Sequence, residues 1–415
     1  MSNLGVYFRG QSLGTVVVDE AERFSFEYQP TWLADRERFP ISQSLPLVAG
    51  PHTGEPAHAF FANLLPEGRV RSLVARRLGI SESNDFGLLA ALGGECAGAL
   101  VIADAPPDAA EHHYRPIDDA ELARLAQTGS AFAETSGSGG VRLSLAGAQD
   151  KLPVRVDGVQ LLLPLGSSPS THILKFANRD YKHLPANEAL VGAMARLSGL
   201  PVVTSELRQI GKEKHLLVAR YDRLVAADGV ITRLHQEDLC QALGVPPGRK
   251  YEDEGGPRFD RCFRMIADVS SEPALDTRAL IRWLAFNAIV GNADGHAKNL
   301  SLVRSLDGKL RLAPFYDLLS TAVYPRIASK LAMVVGENSD PGNIRGRDWR
   351  RLGESLAVGP AFVVDTVQDL AEAMPDRARA AVAEMRERHG EFPVAEIILR
   401  QLRKRVRRSL QLLRE

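Results

Sequence analysis

The residues best suited to chemistry lie between Phe286 and Leu319. There an apolar run gives way to a polar loop holding Asn292, Asp294, His296, Lys298 and Asn299, followed by a strand-like LSLV, a turn at Asp307-Gly308, and Asp317. An aspartate, an asparagine five positions later and a second aspartate beyond a short hairpin make up the set that phosphoryl transfer with a divalent cation uses. One carboxylate orients the attacking hydroxyl and takes its proton, while the amide oxygen and the other carboxylate hold a hard cation. Taken alone, Asn-Ala-Asp-Gly-His also reads as an ordinary turn, since Asn, Asp and Gly are the usual turn formers. The strand-like runs beside it favour chemistry, because a hairpin brings the loop and Asp317 to one end of a ribbon.

Other stretches can hold a nucleotide against that loop. Residues 171–176 (THILKF) read as a strand carrying Lys175. Thirteen positions on, Glu188 lies in NEALVGAMARLSG, whose apolar residues at 190, 191, 194 and 197 follow helical spacing. A strand lysine and a helix glutamate are the pair with which kinases orient the α- and β-phosphates. By themselves they also read as a surface lysine and a carboxylate serving a helix N-terminus. Residues 216–223 (LLVARYDR) read as a buried strand that turns polar at its end, as a hinge between two lobes does. That reading sets Val218, Ala219 and Tyr221 against an adenine and Asp222 near its ribose. Residues 134–140 (ETSGSGG) lead into LSLAGAQDK; they are a linker by composition, or a loop offering backbone N–H groups and a lysine to phosphates.

These pieces occur in one order with SLAGAQDKLPV (144–154), HQEDLCQALG (235–244), KYEDEGGP (250–257), GNADGHAKN (291–299) and FYDLLS (315–320). In this the sequence resembles the HipA-type serine/threonine kinases, the toxin halves of bacterial toxin–antitoxin pairs, over most of its length. The resemblance implies ATP and Mg²⁺ as cofactors, a phosphate-binding loop around an autophosphorylated Ser144, and Gln149 and Lys151 in the strand that follows. It implies that Lys175 and Glu188 pair, that Asp294 is catalytic, and that Asn299 and Asp317 bind the metal. His296 is read as a brace of the loop and Lys298 as a group steadying the transferring phosphate. Three positions depart from the family pattern. Asp150 and Ala219 stand where Glu is expected, and Pro153 where a donor-bearing residue is common. Ala219 leaves a backbone contact to adenine and removes a side-chain one; the other two lie away from the proposed chemistry.

The resemblance further implies a protein acceptor, with aminoacyl-tRNA synthetases as family targets, a helix-turn-helix antitoxin (HipB-like) as partner, and operator DNA approached through that complex. Two other readings share part of the site: a small-molecule phosphotransferase, and a DNA-bound corepressor without catalysis. The basic run Arg403, Lys404, Arg405, Arg407 and Arg408 near the carboxy-terminus suits a helix end as well as DNA. The segment at 246–257 (PPGRKYEDEGGP) is too rich in Pro and Gly for a helix and lies where a substrate-facing loop can reach the site.

The 415 residues are 45% apolar and 25% charged with a net charge of zero, which fits a globular chain and gives no global basic excess for nucleic acid. Cys96, Cys240 and Cys262 have no paired spacing, and no stretch approaches the length of a membrane span, so a cytoplasmic protein is expected. The expected fold is α+β and two-lobed, protein-kinase-like, with a mixed β-rich amino-terminal lobe, an extra amino-terminal subdomain and an all-helical carboxy-terminal lobe. The expected divisions are residues 1–105 (β-rich subdomain, antitoxin contact), 106–221 (nucleotide-binding lobe with the phosphate loop) and 222–415 (catalytic lobe).

Overall fold

The computed structural model describes residues 2–107, 112–128, 130–136, 142, 149–177, 180–327 and 329–415. In the amino-terminal half, alternating apolar residues build two antiparallel sheets. The first runs in the order His52–Thr53, Phe24–Tyr28, Gln11–Val18, Ser2–Phe8 and Leu100–Ala103. The second runs Ser205–Ile210, Glu213–Ala219, His172–Lys175, Lys151–Asp157, Gln160–Leu165 and His113–Ile117.

The second sheet is covered on both faces, and its period of two sorts side chains between two cores. Leu152, Leu174, Phe176 and Leu217 join the core of the first sheet, with Phe26, Trp32 and Phe61. Leu216 and Val218 join the core of the carboxy-terminal helices. Each large side chain fully buried in this way contributes roughly 1.5–3 kcal/mol.

The two-lobed α+β arrangement expected from the sequence is present, and the second lobe is helical with two small sheets added. Its centre is the helix Pro273–Val290, in which Leu280, Ile281, Trp283, Leu284, Phe286 and Ile289 are all buried. The second half of this helix, buried at every residue from Trp283 to Val290, belongs inside a domain. The helices Leu184–Leu197, Gly346–Ser355, Pro360–His389 and Val394–Leu413 share its core. One small sheet pairs Gln236–Asp238 with Ser301–Arg304 and Leu310–Leu312; the other pairs Arg223–Val225 with Ile231–Arg233. The first holds the chain that follows the polar loop and leads on to Asp317.

The amino-terminal sheet region also docks on the helical lobe. Gln241 Nε2 donates to the Phe60 carbonyl at 2.9 Å, Asn63 Nδ2 to the Val245 carbonyl at 2.9 Å, and the Gln43 N–H to Glu237 Oε1 at 3.1 Å. No helix among the described residues is long and apolar enough to cross a membrane.

Candidate active site

Strand alternation delivers two lysines to one face. Leu174 and Phe176 enter the amino-terminal core, so Lys175 between them points the other way, and Lys151 sits opposite Lys175 in the ladder. Lys175 Nζ donates to Glu188 Oε1 at 2.6 Å and to Asp317 Oδ1. Burial disfavours the Lys175 charge, but Asp317 and Glu188 outweigh it and hold the ammonium above its ordinary range. Burial also raises Glu188, with the Asp317 charge adding to it. Against burial, Lys175 and Lys151 hold Asp317 below the usual carboxylate range, which favours its ionised form. Burial, with the Lys175 charge added, pushes Lys151 down to about 8.

Asn187, next to Glu188 and fully buried, fixes the helix to the Asp317 segment. Its Oδ1 accepts from the Ser320 N–H at 2.9 Å and its Nδ2 donates to the Ser320 carbonyl at 2.9 Å.

The loop after Pro273–Val290 begins at Gly291, whose φ of 73° favours glycine. A Cβ there would also lie 2.7 Å from the Arg405 guanidinium and 2.9 Å from Ala322 Cβ. Side chains then tie the loop together through its backbone. Asn292 Oδ1 accepts from the Asp294 N–H at 3.0 Å, Thr321 Oγ1 from the Ala293 N–H at 2.8 Å, and Asn299 Nδ2 donates to the Asp294 carbonyl at 2.7 Å. With its backbone held, Asp294 presents a carboxylate whose side chain is 45% exposed. Asn299 has Oδ1 left to offer. His296 is buried, with Nε2 at 3.7 Å from Asp294 Oδ1. Burial, aided by Lys250 and Lys298 against Asp294, pushes His296 down to about 4, so its imidazole is neutral near pH 7.

One cavity of about 570 Å³ is lined by Lys151, Lys175, Glu188, Asp294, His296, Asn299 and Asp317, together with Gln149, Ala219, Tyr221, Asp222 and Lys298. Ser144 lies outside the described residues. Several of the lining groups are already engaged. Gln149 Nε2 donates to the Phe176 carbonyl at 3.3 Å, and the Ala219 N–H to the Thr204 carbonyl at 2.9 Å. Tyr221 Oη donates to Gln236 Oε1 at 2.5 Å while its ring stacks on Tyr316.

Asp222, expected near a ribose, has both carboxylate oxygens bonded to Arg220 at 3.0 and 2.8 Å, and one of them also accepts from the Gly98 N–H at 2.7 Å. Burial would raise its carboxyl; Arg220 and Arg223 hold it well below the usual range. Lys298, expected to steady a phosphate, has its ammonium on Asn63 Oδ1 at 2.6 Å and near Asp238 Oδ2 at 3.2 Å. Both residues join the amino-terminal region to the site.

The cavity wall also holds residues that were not singled out from the sequence, among them Glu67 and Tyr251. Lys250 Nζ reaches Glu67 Oε2 at 2.7 Å, and Tyr251 Oη donates to Asp294 Oδ1. Tyr251 sits in the Pro- and Gly-rich segment read as substrate-facing, so the segment had a signal and the residue did not. Glu67 had none, lying in a stretch without a motif.

Two lobes closed on a cavity that holds a lysine–glutamate pair and an Asp–Asn–Asp set define a protein-kinase-like fold. The HipA N-terminal domain model matches residues 4–103 and the HipA-like C-terminal domain model residues 143–383. The chain belongs to the HipA family. It is 40% identical over 376 residues to the protein Y4mE of Sinorhizobium fredii, covering 89% of each chain. To the serine/threonine-protein kinase toxin HipA of Shewanella oneidensis it is 29% identical over 391 residues, covering 90% of this chain and 88% of that one. A solved complex of Shewanella oneidensis HipA with HipB and its operator DNA contains a chain similar to this one at a TM-score of 0.86 and 27% identity, over 99% of this chain and 98% of that one.

Proposed function

We propose that this chain is an ATP-dependent serine/threonine-protein kinase acting as a growth-inhibiting toxin. The observation that carries the reading is the cavity where Lys175, paired with Glu188, meets Asp317 a short hairpin away from Asp294 and Asn299, in a chain of the HipA family. Lys175 and Lys151 offer positive charge to the ATP phosphates. Asp294 accepts the proton of a serine or threonine hydroxyl as its oxygen forms the new bond to the γ-phosphorus, and ADP leaves with the bridging oxygen.

The donor set suits Mg²⁺. Asp317, kept ionised by two lysines, and Asn299 Oδ1, left over by the Nδ2 bond, are hard oxygen donors. Mg²⁺ bound there neutralises charge on the ATP phosphates; the chain's own residues align the groups.

The finer parts of the reading rest on resemblance. They are an aminoacyl-tRNA synthetase as acceptor, glutamyl-tRNA synthetase being the first to try, and self-inactivation through Ser144, where a phosphate would add about two negative charges beside the ATP phosphates. A helix-turn-helix antitoxin as partner, operator DNA reached through it, and a cytoplasmic location complete the proposal. The Shewanella oneidensis complex supports the antitoxin and the DNA, and Arg403, Lys404, Arg407 and Arg408 are exposed.

Phosphoproteomics after controlled expression tests the function. Growth arrest with new phosphoserine or phosphothreonine on a translation protein is expected for the wild type, and neither for Asp294→Asn. Arrest that persists in Asp294→Asn would overturn it in favour of titration of a partner or DNA.

A further inference from the structure

We propose that Tyr251 is a specificity residue on the acceptor side of the site, its hydroxyl holding Asp294 against water until a protein side chain displaces it. The inference rests on Asp294 being the base for the acceptor. Tyr251 Oη donates to Asp294 Oδ1, the same bond that an attacking hydroxyl must make. Its ring lies edge-on to His296, with centroids 5.0 Å apart and planes at 84°, an arrangement that aromatic quadrupoles favour and that fixes where the hydroxyl points. Burial and then the Asp294 charge hold the phenol above its ordinary range, so it remains a neutral donor.

The segment is anchored on both sides of Tyr251. Lys250 reaches Glu67 Oε2 at 2.7 Å, across the seam with the amino-terminal region, and Glu252 Oε2 accepts from the Val334 N–H at 2.8 Å. The turn closes with the Gly256 N–H donating to the Tyr251 carbonyl at 2.8 Å. Only glycine fits there, since a Cβ would lie 2.3 Å from the Arg249 carbonyl oxygen and 2.5 Å from that of Tyr251.

A kinase that binds ATP beside a solvent-reachable carboxylate risks hydrolysing it. In that side reaction a water oxygen bonds to the γ-phosphorus, the bond to the bridging oxygen of ADP breaks, and a water proton passes to Asp294. Tyr251 occupies Asp294 Oδ1, so a water using that oxygen has first to displace the phenol. A protein acceptor can displace it because it brings contacts of its own, which water does not.

The test is acceptor-free phosphate release from Mg-ATP by the full chain as wild type, Tyr251→Phe, Asp294→Asn and the double variant. Tyr251→Phe keeps the ring against His296 and removes only the hydroxyl. Release should rise roughly tenfold or more, the worth of one hydrogen bond to a charged group, with ATP affinity by calorimetry unchanged. The rise should vanish in the double variant. Unchanged or lower release in Tyr251→Phe would overturn the proposal and leave the base assignment intact, as would phosphate found on Tyr251 itself. A rise that survives Asp294→Asn would instead overturn the base assignment.

Discussion

Lys175 stands between two carboxylates of unequal character. Glu188 is buried beside it on a helix, whereas Asp317 has a side chain 37% exposed toward the cavity and a φ of 54° that few non-glycine residues adopt. A backbone held in that conformation has to be over-determined by its surroundings, and the reciprocal Asn187–Ser320 bonds supply part of that constraint. One lysine charge thus serves a helix and the segment proposed to bind the metal at once. Lys175→Met should weaken Mg-ATP binding roughly tenfold or more, the scale of a hydrogen bond to a charged group. It should also lower thermal stability, because it leaves buried Glu188 without its cation and beside a second carboxylate. Calorimetry with a melting curve checks both, and ATP affinity equal to wild type would remove Lys175 from the site.

At the scale of elements, the small sheet of Gln236–Asp238, Ser301–Arg304 and Leu310–Leu312 does more than span a gap. Its edge strand carries Glu237, buried at the seam where Ser42 and Gln43 cross from the amino-terminal region. Burial pushes Glu237 up to about 8, partly offset by its bonds to Ser42 and the Gln43 N–H. The fold therefore favours its protonated form. That stabilisation is complete below the ordinary carboxylate value of about 4.3 and is lost as pH rises through about 8. Melting temperature should fall between pH 5 and pH 8 in the wild type and fall less in Glu237→Gln; parallel curves would contradict this.

How much of this was legible follows from chain separation. Asp294, Asn299 and Asp317 flank one short hairpin, so local pattern carried them, whereas Lys175 by itself read as a surface lysine and its pairing with Glu188 came from resemblance. The Tyr251–Asp294 bond joins residues 43 positions apart and the Lys250–Glu67 bond residues 183 apart, which no periodicity encodes. The role read for Asp222 came from the hinge pattern and that for Lys298 from its place in the polar loop, and neither pattern showed that Arg220 and Asn63 engage them. The strand Gln236–Asp238 is three residues long, too short for alternation to separate from the helical pattern that follows it.

On the scale of the whole molecule, the amino-terminal region is part of the wall of the cavity. It contributes Asn63 and Glu67 to the cavity wall. Its Glu95, with no side-chain exposure, bonds to Arg220 at 2.8 Å and Arg223 at 2.9 Å where the hinge strand ends, and also reaches Arg233. Those three guanidinium groups hold Glu95 down to about 2 against burial. A buried cluster of this kind is worth most as a register, since removing one member leaves unpaired charge. Anything that grips the amino-terminal region is thereby connected to the hinge and to the Lys250–Tyr251 segment.

The central claim is that two aspartates on one hairpin divide the work, Asp294 addressing the acceptor and Asp317 the nucleotide with its metal. Calorimetric binding of Mg-ATP to the wild type, Asp294→Asn and Asp317→Ala, paired with a transfer assay on the same samples, tests it most directly. Asp294→Asn should lose transfer by roughly 10²–10⁴-fold, the usual contribution of a general base, and keep wild-type ATP affinity. Asp317→Ala should lose both. Equal loss of ATP affinity in the two variants would contradict the division.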